Sequence, residues 1–527
     1  MGNISYFKNC CPQEEEDTRL EDGETAKEMT ASFAKMYNEN VLPQSENNSK
    51  ELNPMESLYF LKSSVLIGKG SGNPIDKYKI EELIGRGEFS LVYRVTLKSN
   101  GESRAFKVIK KDEKNFKQSQ ELLREIQLLE ETDNPYIVKM YEFYDCPRAI
   151  CLINEYLNGG SIYDKLKKEK TFSEFNTAII IFQILSALSF CHSQKIIHRN
   201  LTLSNILIDI QNDHFIHIKI IDFSTSAKMV KGVEMEESKS NIKYTAPEVL
   251  KGKYNETRDI WSVGVIMYIL LTGVYPFDGK DILKIKAEIE LCNVNYKNEN
   301  LLKCSKECID SLKELLNKDK NRISAQKAIN HIWFKNLNIK ERLTFLPYDK
   351  IKKVLEQIMK FKPKKTLQKL CLAYLVRNFE HESVDEASNL YLQIDYNNDG
   401  KIEKNEFVKH LKEIIEKTGE IIDENYLKKI FDNIDIDKSG TVEYYEFVAA
   451  GVDKELILND ENIKESFEFF DKNKNGLINL EDLRVVFMKF KGFSQDEFND
   501  IVNDVDVDEN NEIDFEEYKN VMKSIME

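Results

Sequence analysis

One pattern of about a dozen residues occurs four times in the last quarter of this chain and constrains its fold more than any other feature. The four copies begin at residues 395, 435, 471 and 506, in a chain of 527 residues. The spacing between copies is 35 to 40 residues. Repeats with this spacing are tandem supersecondary units, each too small to bury a hydrophobic face alone. We therefore expect residues 386–527 to form an all-α domain of paired helix–loop–helix units.

Oxygen-bearing side chains recur at fixed positions of each copy, as a hard cation such as Ca²⁺ requires. In the first copy Asp395, Asn397 and Asp399 hold positions 1, 3 and 5. Gly400 allows the sharp turn, and Glu406 can supply two oxygens. This is the calcium-loop pattern of EF-hands, and four tandem copies exclude a chance acidic turn. The predicted calcium ligands are Asp395, Asn397, Asp399, Lys401, Glu406, Asp435, Asp437, Ser439, Thr441, Glu446, Asp471, Asn473, Asn475, Leu477, Asp482, Asp506, Asp508, Asn510, Glu512 and Glu517.

Two of the four loops depart from the pattern. Loop 3 ends in Asp482, one methylene shorter than Glu, so we expect it to bind calcium weakly or to favour magnesium. Loop 4 has Asn511 in place of the turn glycine, and Asn tolerates the left-handed backbone better than most residues. Apolar residues at position 8 can pair the loops two by two across a short strand. These are Ile402, Val442, Ile478 and Ile513.

A glycine-rich segment between two predicted strands indicates a phosphate site. It spans residues 84–92, and its two glycines, Gly85 and Gly87, let the backbone close over phosphates without side-chain obstruction. Lys107 follows on the next strand and Glu125 on the next predicted helix. A lysine there can hold the phosphates while the glutamate holds the lysine. Together these elements predict a nucleotide site.

From about residue 78 to 334 the chain resembles the eukaryotic protein kinases. The motifs that carry the resemblance are Ala246-Pro247-Glu248, Asp259-x-Trp261-Ser262-x-Gly264, Arg322 and His331-x-Trp333-Phe334. The resemblance implies a two-lobed fold with ATP in the cleft and a structural ion pair between Glu248 and Arg322. It also implies that the ATP-binding residues are Ile84, Gly85, Gly87, Val92, Ala105, Lys107, Glu155, Leu157 and Leu207, with Asn205 and Asp222 as magnesium ligands.

Departures from the kinase pattern cluster where a substrate would receive the phosphate. The family motif H-R-D-L-K-P-E-N corresponds here to residues 198–205, with Asn200 at the proton-acceptor position and Thr202 in place of the lysine. Asn200 cannot accept a proton at neutral pH, although its amide oxygen can accept a hydrogen bond. Ser240-Asn241 stands here in place of the family's Gly-Thr pair before A-P-E. Ser161 and Ser204 stand in place of two glutamates that recognise basic substrates in relatives.

These departures leave two interpretations open. The chain is either a calcium-sensing, ATP-binding pseudokinase that acts as a scaffold or allosteric partner, or a divergent but active serine/threonine kinase with protein substrates. A positioned general base contributes roughly 10²–10⁴-fold to a rate, so the substitution at Asn200 favours severe impairment.

The order of kinase domain, helical connector and four calcium loops resembles the calcium-dependent protein kinases of plants and protists. We expect a multidomain α+β protein, with residues 1–77 as an acidic extension, 78–334 as the kinase domain, 335–385 as a helical inhibitory connector and 386–527 as the four EF-hands. The resemblance implies ATP, Mg²⁺ and Ca²⁺ as cofactors. It also implies that the connector inhibits the kinase at low calcium. Calcium would then open apolar grooves on the EF-hands, and these grooves would capture the connector and relieve the inhibition. Such a protein would act in signal transduction.

Composition excludes some functions and locations. The net charge of −15 argues against a nucleic-acid partner, which needs a basic surface. Nine scattered cysteines without a C-x-x-C pair suit a reducing, cytoplasmic compartment. Residues 260–277 carry no charge, but the kinase resemblance makes them a buried core helix.

The N-terminus carries candidate lipidation sites. Gly2 follows Met1 as in myristoylated chains, although position 6 is Tyr where Ser or Thr is usual. Cys10 and Cys11 lie close behind as palmitoylation candidates, and two lipid signals are what stable anchoring needs. The sequence thus offers two alternatives, an ordinary polar extension or peripheral membrane attachment.

Overall fold

The structure is a computed structural model that describes most of the chain from residue 68 to residue 526. Outside the described residues lie 1–67, 71–72, 88–89, 112–125, 130–131, 133, 147–148, 211–214, 230–240, 253, 319–321, 362–364, 379–381, 418, 436–438, 488–500, 504, 507, 509 and 527. The predictions for Gly2, Cys10, Cys11, Glu125, Ser240 and Asp437 fall on these residues.

A six-stranded sheet forms the small lobe. Its strands are β1 (Gly68–Lys69), β2 (Tyr78–Arg86), β3 (Ser90–Leu97), β4 (Ser103–Lys110), β5 (Met140–Asp145) and β6 (Ala149–Glu155), in the order β1-β5-β6-β4-β3-β2. All neighbouring pairs are antiparallel except β1 with β5. Buried residues alternate with part-exposed ones along most of β4, because one face of the sheet packs on a core that includes Val95, Phe106 and Ile153. Strand β6 is instead buried over its first five residues.

The large lobe is mainly helical. Its helices are α2 (Ile162–Glu169), α3 (Glu174–Ser193), α4 (Thr257–Thr272), α5 (Ile282–Leu291), α6 (Lys306–Leu315), α7 (Ala325–Ile329), α8 (Ile332–Asn336) and α9 (Ile339–Leu343). In the small lobe, α1 (Pro74–Lys77) lies between β1 and β2. Short strands β7 (Ile196–Ile197), β8 (Ile206–Asp209), β9 (His217–Ile220) and β10 (Ala227–Lys228) flank the cleft.

Helices α3 and α4 are apolar on all sides because both lie in the core of the large lobe. Every residue from Thr177 to Cys191 and from Arg258 to Thr272 is buried. The uncharged stretch at 260–277 is therefore a core helix up to Thr272, as expected, and Gly273 ends the helix. Among the described helices, α3 alone is long and apolar enough to cross a membrane by length and composition, but 83% of its most apolar window is buried inside the protein.

Residues after 382 form two pairs of helix–loop–helix units. The helices are α12 (Glu382–Ile394), α13 (Lys404–Glu416), α14 (Glu424–Ile434), α15 (Tyr444–Gly451), α16 (Lys454–Ile457), α17 (Asp460–Phe470), α18 (Leu480–Phe487) and α19 (Phe515–Lys523). Strand β11 (Lys401–Glu403) pairs with β12 (Thr441–Glu443), and β13 (Ile478–Asn479) pairs with β14 (Glu512–Ile513). Ile402 faces Val442 and Ile478 faces Ile513, so the predicted pairing of loops is confirmed.

Two connector helices, α10 (Tyr348–Lys360) and α11 (Thr366–Asn378), lie between the kinase domain and the paired hands. The apolar face of α10, including Ile351, Val354 and Ile358, is buried against α12, α14 and α15 of the first pair. Helix α11 packs against α15, α17 and α19. The connector thus contributes to the core of the calcium-loop domain, and the predicted multidomain α+β organisation is confirmed.

Candidate functional site

The glycine-rich segment joins β2 to β3 at the edge of the cleft. The N–H of Gly87 donates to the carbonyl of Ser90 at 2.8 Å, which closes the turn. Val92 lies opposite Lys107, and Ala105 lies opposite Asn154, so the residues predicted to surround the nucleotide are neighbours in one sheet. Sheet register therefore brings the glycine-rich turn and Lys107 to the same side of the cleft.

Lys107 and Asp222 face each other across the cleft. The Lys107 Nζ lies 3.3 Å from the Asp222 Oδ1, which also accepts a 2.8 Å hydrogen bond from the Ser224 Oγ. Burial alone would raise the pKa of Asp222, but Lys107 and Ser224 lower it below its ordinary value. Asp222 also has a φ of 66°, an uncommon backbone conformation for a residue other than glycine. The carboxylate is thus held ionised between the two lobes.

Asn205 lies next to Asp222 through the backbone. Its Nδ2 donates to the carbonyl of Asn200 at 2.9 Å, and its own carbonyl accepts from the N–H of Ile221 at 3.0 Å. Asn205 and Asp222 offer an amide oxygen and a carboxylate, the oxygen donors that Mg²⁺ prefers. The donor chemistry of these two residues therefore fits Mg²⁺.

The predicted hinge, near Glu155 and Leu157, connects the lobes. The Glu155 carboxylate accepts from the N–H of Lys139 at 2.6 Å and pairs with the Lys219 Nζ at 2.8 Å. Leu157 is 9% exposed, and Leu207 lies on β8 opposite Lys219. The Glu155 carboxylate thus bonds to residues of both lobes. The sequence did not indicate these two contacts.

Asn241, Ser161 and Thr202 are three of the residues that depart from the kinase pattern where a substrate would receive the phosphate. The Asn241 Oδ1 accepts from the N–H of Lys243 at 3.1 Å and caps the turn at residues 242–244. Ser161 caps α2, where its Oγ and the N–H of Asp164 are 3.1 Å apart. Thr202 is 8% exposed. Asn241 and Ser161 thus stabilise local turns.

Calcium loop 1, residues 395–406, is folded around its first carboxylate. The Asp395 Oδ2 accepts from the N–H of Gly400 at 3.1 Å, and the Glu406 Oε1 accepts from the N–H of Tyr396 at 3.1 Å. Asp395 is 3% exposed, and its Oδ1 is buried with no hydrogen-bond partner among the described residues. Burial raises the pKa of Asp395 to about 7, against the attraction of Lys340. A buried carboxylate oxygen without a donor fits a loop built for a cation.

The other loops repeat this arrangement. In loops 2 and 3, the N–H groups of Gly440 and Gly476 donate to Asp435 and Asp471 at 3.0 and 2.8 Å. In loop 4, the N–H of Asn511 donates to Asp506 at 2.6 Å, and its φ of 63° is the conformation expected of the missing glycine. The carboxylates of Asp506, Asp508 and Glu517 converge, with one oxygen of each within 4.8 Å of the others.

Loop 3 ends in Asp482, whose side chain is one methylene shorter than that of Glu. Its Oδ1 accepts from the N–H groups of Lys472 and Asn473 at 3.0 and 3.1 Å. Its Oδ2 accepts from the N–H of Asn479 at 3.1 Å. The carboxylate is thus engaged by loop amides, and its predicted weakness as a calcium ligand stays a prediction.

Comparisons with known proteins agree with this architecture. The protein kinase domain family matches residues 78–334, and the EF-hand domain pair matches residues 384–450 and 460–523. Calcium-dependent protein kinase 4 of Plasmodium falciparum is 31% identical over 506 residues, covering 94% of this chain and 93% of the relative. The chain belongs to the calcium-dependent protein kinase family.

Other relatives span the same domains. Calcium-dependent protein kinase 5 of Plasmodium berghei is 32% identical over 443 residues, 83% of this chain and 76% of the relative. Calcium-dependent protein kinase 19 of Arabidopsis thaliana is 28% identical over 462 residues, 87% of this chain and 82% of the relative. A kinase domain implies ATP and Mg²⁺, and EF-hands imply Ca²⁺.

Asp259, which the sequence placed only in a family motif, holds the backbone of the catalytic segment of this family member. Its Oδ2 accepts from the N–H of His198 at 2.8 Å, and its Oδ1 accepts from the N–H of Arg199 at 3.0 Å. The His192 Nε2 lies 3.1 Å from the Oδ2. Burial alone would raise the pKa of Asp259, but the hydrogen bond from His192 and nearby positive charge lower it. The available signal in the sequence was a carboxylate directly before the uncharged stretch at residues 260–277.

The structural ion pair implied by the kinase resemblance is present. The Arg322 Nη2 donates to the Glu248 Oε2 at 2.9 Å, and Nη1 of the same guanidinium donates to the carbonyl of Thr257 at 2.9 Å. Arg322 is 5% exposed. A buried guanidinium needs an opposite charge, and Glu248 supplies it. The ion pair fixes the segment that carries Ala246 and Pro247 to the large lobe.

Proposed function

We propose that this chain is a calcium-regulated member of the serine/threonine kinase class that binds ATP with Mg²⁺ and has strongly impaired phosphotransfer. The observation that carries the proposal is the contrast between neighbouring residues of the cleft. Asn205 and Asp222 have the oxygen donors a magnesium site needs, while Asn200 stands where a proton acceptor would be. We infer that nucleotide binding is retained and acceptor chemistry is weakened.

The nucleotide side of this proposal rests on positioned charge. Lys107 would hold phosphate oxygens, since its ammonium is already directed at Asp222 across the cleft. Asn205 and Asp222 would hold Mg²⁺, which when bound neutralises charge on the phosphates. The backbone of residues 85–87 would cover the phosphates because neither glycine carries a side chain. Val92, Ala105 and Leu207 would line the base, as the family resemblance implies.

The acceptor side lacks two contributions. Asn200 can orient a substrate hydroxyl through its amide oxygen but cannot take its proton. Thr202 brings no positive charge to the transferring group, so that stabilisation is lost as well. Loss of the base alone corresponds to roughly 10²–10⁴-fold in rate.

A second candidate is a fully active, divergent calcium-dependent kinase that phosphorylates protein substrates. The Lys107–Asp222 pair favours it, because phosphoryl transfer depends mostly on positioning and charge stabilisation. In the first candidate the chain would act through a scaffold partner.

Calcium regulation would operate through the connector. The apolar faces of α10 and α11 are buried among the hands, so a change in the hands would change the burial of the connector. Inhibition of the kinase by the connector at low calcium remains part of the proposal.

We also propose peripheral membrane attachment through Gly2 with Cys10 and Cys11, supported by the presence of two lipid signals in the sequence. Metabolic labelling with alkyne fatty acids should label the wild type and lose the myristate signal in Gly2→Ala. An unlabelled wild type contradicts this attachment.

The decisive experiment measures transfer from labelled ATP to peptides and to the protein itself, with and without calcium. We expect slow transfer by the wild type and at least tenfold faster transfer by Asn200→Asp. Asp222→Asn is the matched control that should abolish the ATP–Mg²⁺ thermal shift. Robust wild-type turnover contradicts impairment, and absence of a wild-type thermal shift contradicts nucleotide binding.

A further inference from the structure

Calcium loop 1 packs directly on helix α3 of the kinase large lobe. The Ser186 Oγ donates to the Asn398 Oδ1 at 3.2 Å, and the Ser193 Oγ donates to the carbonyl of Asp399 at 3.0 Å. A Cβ placed on Gly400 would lie 2.3 Å from the ring of Phe190. The loop therefore approaches the helix closely, and its three central residues contribute to the contact.

A lysine from the kinase side completes this contact. Lys340 lies on α9, which packs on α3, and its Nζ donates to the carbonyl of Asp395 at 2.7 Å. The same ammonium lies 5.3 Å from the centre of the Tyr396 ring. The carboxylates of Asp395 and Glu406 both interact electrostatically with it. One positive charge is thus held, partly buried, against the loop that is predicted to bind Ca²⁺.

We propose that Lys340 is a built-in antagonist of calcium at loop 1, by which the kinase lobe lowers the calcium affinity of that loop. The proposal rests on calcium binding by loop 1, which is part of the proposed function. Two positive charges close to one set of carboxylates repel, and partial burial reduces the screening that water and salt provide. Within the described part of the chain the buried Oδ1 of Asp395 has no hydrogen-bond partner, so Lys340 leaves cation-binding capacity in the loop.

The coupling acts in both directions. If the docked lobe lowers calcium affinity at loop 1, calcium at loop 1 weakens the docking by the same factor. The last turn of α3 carries Ser193, which contacts the loop, and His192, which contacts Asp259. Asp259 in turn holds the N–H groups of His198 and Arg199. Loop 1 and the catalytic segment therefore adjoin the same helical turn.

The experiment uses the full-length chain with ¹⁵N-labelled glycine in a deuterated background. The N–H groups of Gly400, Gly440 and Gly476 each donate to the first carboxylate of their own loop, so their NMR signals report the occupancy of loops 1, 2 and 3. We expect Lys340→Met to move the calcium midpoint of Gly400 to about tenfold lower calcium. Gly440 should follow in part, because β11 pairs with β12, whereas Gly476 should keep its wild-type midpoint.

Two control variants separate the charge from its position. Lys340→Arg keeps the charge and should keep the wild-type midpoint. Lys404→Met removes a lysine of the same loop whose side chain is 42% exposed, and it should change the midpoint less than twofold. Lys340→Gln replaces Lys340→Met if the latter fails to fold.

The outcomes distinguish this inference from the proposed function. A Gly400 midpoint in Lys340→Met that equals or exceeds that of the wild type overturns the antagonism alone. An equal shift in Lys404→Met also overturns it, since net charge then explains the effect. A Gly400 signal that never responds to calcium overturns calcium binding by loop 1, and the antagonism with it.

Discussion

Arg377 and Met140 lie 237 residues apart in the chain, yet the Arg377 Nη2 donates to the backbone carbonyl of Met140 at 3.1 Å. Arg377 belongs to connector helix α11, and Met140 begins strand β5 of the small lobe. Met140 lies opposite Asn154, which precedes the hinge residue Glu155. The connector therefore contacts the strand next to the hinge.

Replacing Arg377 should loosen β5. We expect Arg377→Met to speed amide exchange across β5 about tenfold, because the strand loses a charge-assisted hydrogen bond worth roughly 1.5 kcal/mol. Exchange-mass spectrometry of peptides covering residues 140–145 measures this. Arg342→Met, at an exposed position, is the control, and equal protection in both variants contradicts a supporting role for the connector.

Lys107 should be needed for nucleotide binding. We expect Lys107→Met to lose most of the thermal shift that ATP and Mg²⁺ give to the wild type, because the charge directed at Asp222 and the phosphates is removed. Lys110→Met, at the exposed end of the same strand, should keep the shift. Equal shifts in both variants would show that the cleft does not use Lys107.

Lengthening Asp482 should strengthen loop 3. We expect Asp482→Glu to lower the calcium midpoint of the Gly476 NMR signal about tenfold, because Glu reaches the ion with two oxygens. The reverse change in loop 1, Glu406→Asp, should raise the midpoint of Gly400. An unchanged Gly476 midpoint would mean that side-chain length does not limit this loop.

Stability should depend on the protonation of Lys454. Burial lowers the pKa of Lys454 to about 7, and its Nζ lies 3.3 Å from the carbonyl of Gln357 in connector helix α10. The unfolded chain keeps the ordinary value near 10.5, so between about pH 7 and 10 the unfolded state binds more protons. The contribution of this lysine to stability therefore rises with pH.

Chemical denaturation of the wild type and Lys454→Met across this range tests the dependence. We expect the wild type to gain stability relative to the variant as pH rises, by at most ~1.4 kcal/mol per pH unit. Lys428→Met, at an exposed position, should show a constant difference from the wild type. A constant difference for Lys454→Met as well would contradict the burial of a largely neutral amine.

Local patterns were sufficient for the calcium loops. Their ligands lie within twelve residues of one another, so spacing alone places Asp395 and Glu406 in one loop. Even the exception at Asn511 was predictable, because its backbone conformation depends on the residue itself. The family resemblance placed Lys107 and Asp222 in one cleft, but the ion pair between them was not predicted, since Glu125 was the expected partner of Lys107.

Contacts between residues far apart in the sequence were not predictable in the same way. Nothing near Lys340 in sequence indicates that it would touch Asp395, and nothing near Arg377 indicates Met140. In the sequence, Asp259 was recognisable only as a member of a motif. Its hydrogen bonds with the N–H groups of His198 and Arg199 depend on how α4 packs beside residues 198–205. Such contacts join residues 55 or more positions apart.

The sequence by itself determined the domain order, the four calcium loops and the substitution at Asn200, because each is a property of residues at fixed local spacing. Only the tertiary structure decided that loop 1 packs on α3 and that Lys340 places its charge there. The physical reason is that the position of a charge relative to a distant loop depends on how whole helices pack. Helix packing follows from the burial of many apolar side chains together, and no short pattern in the sequence records it.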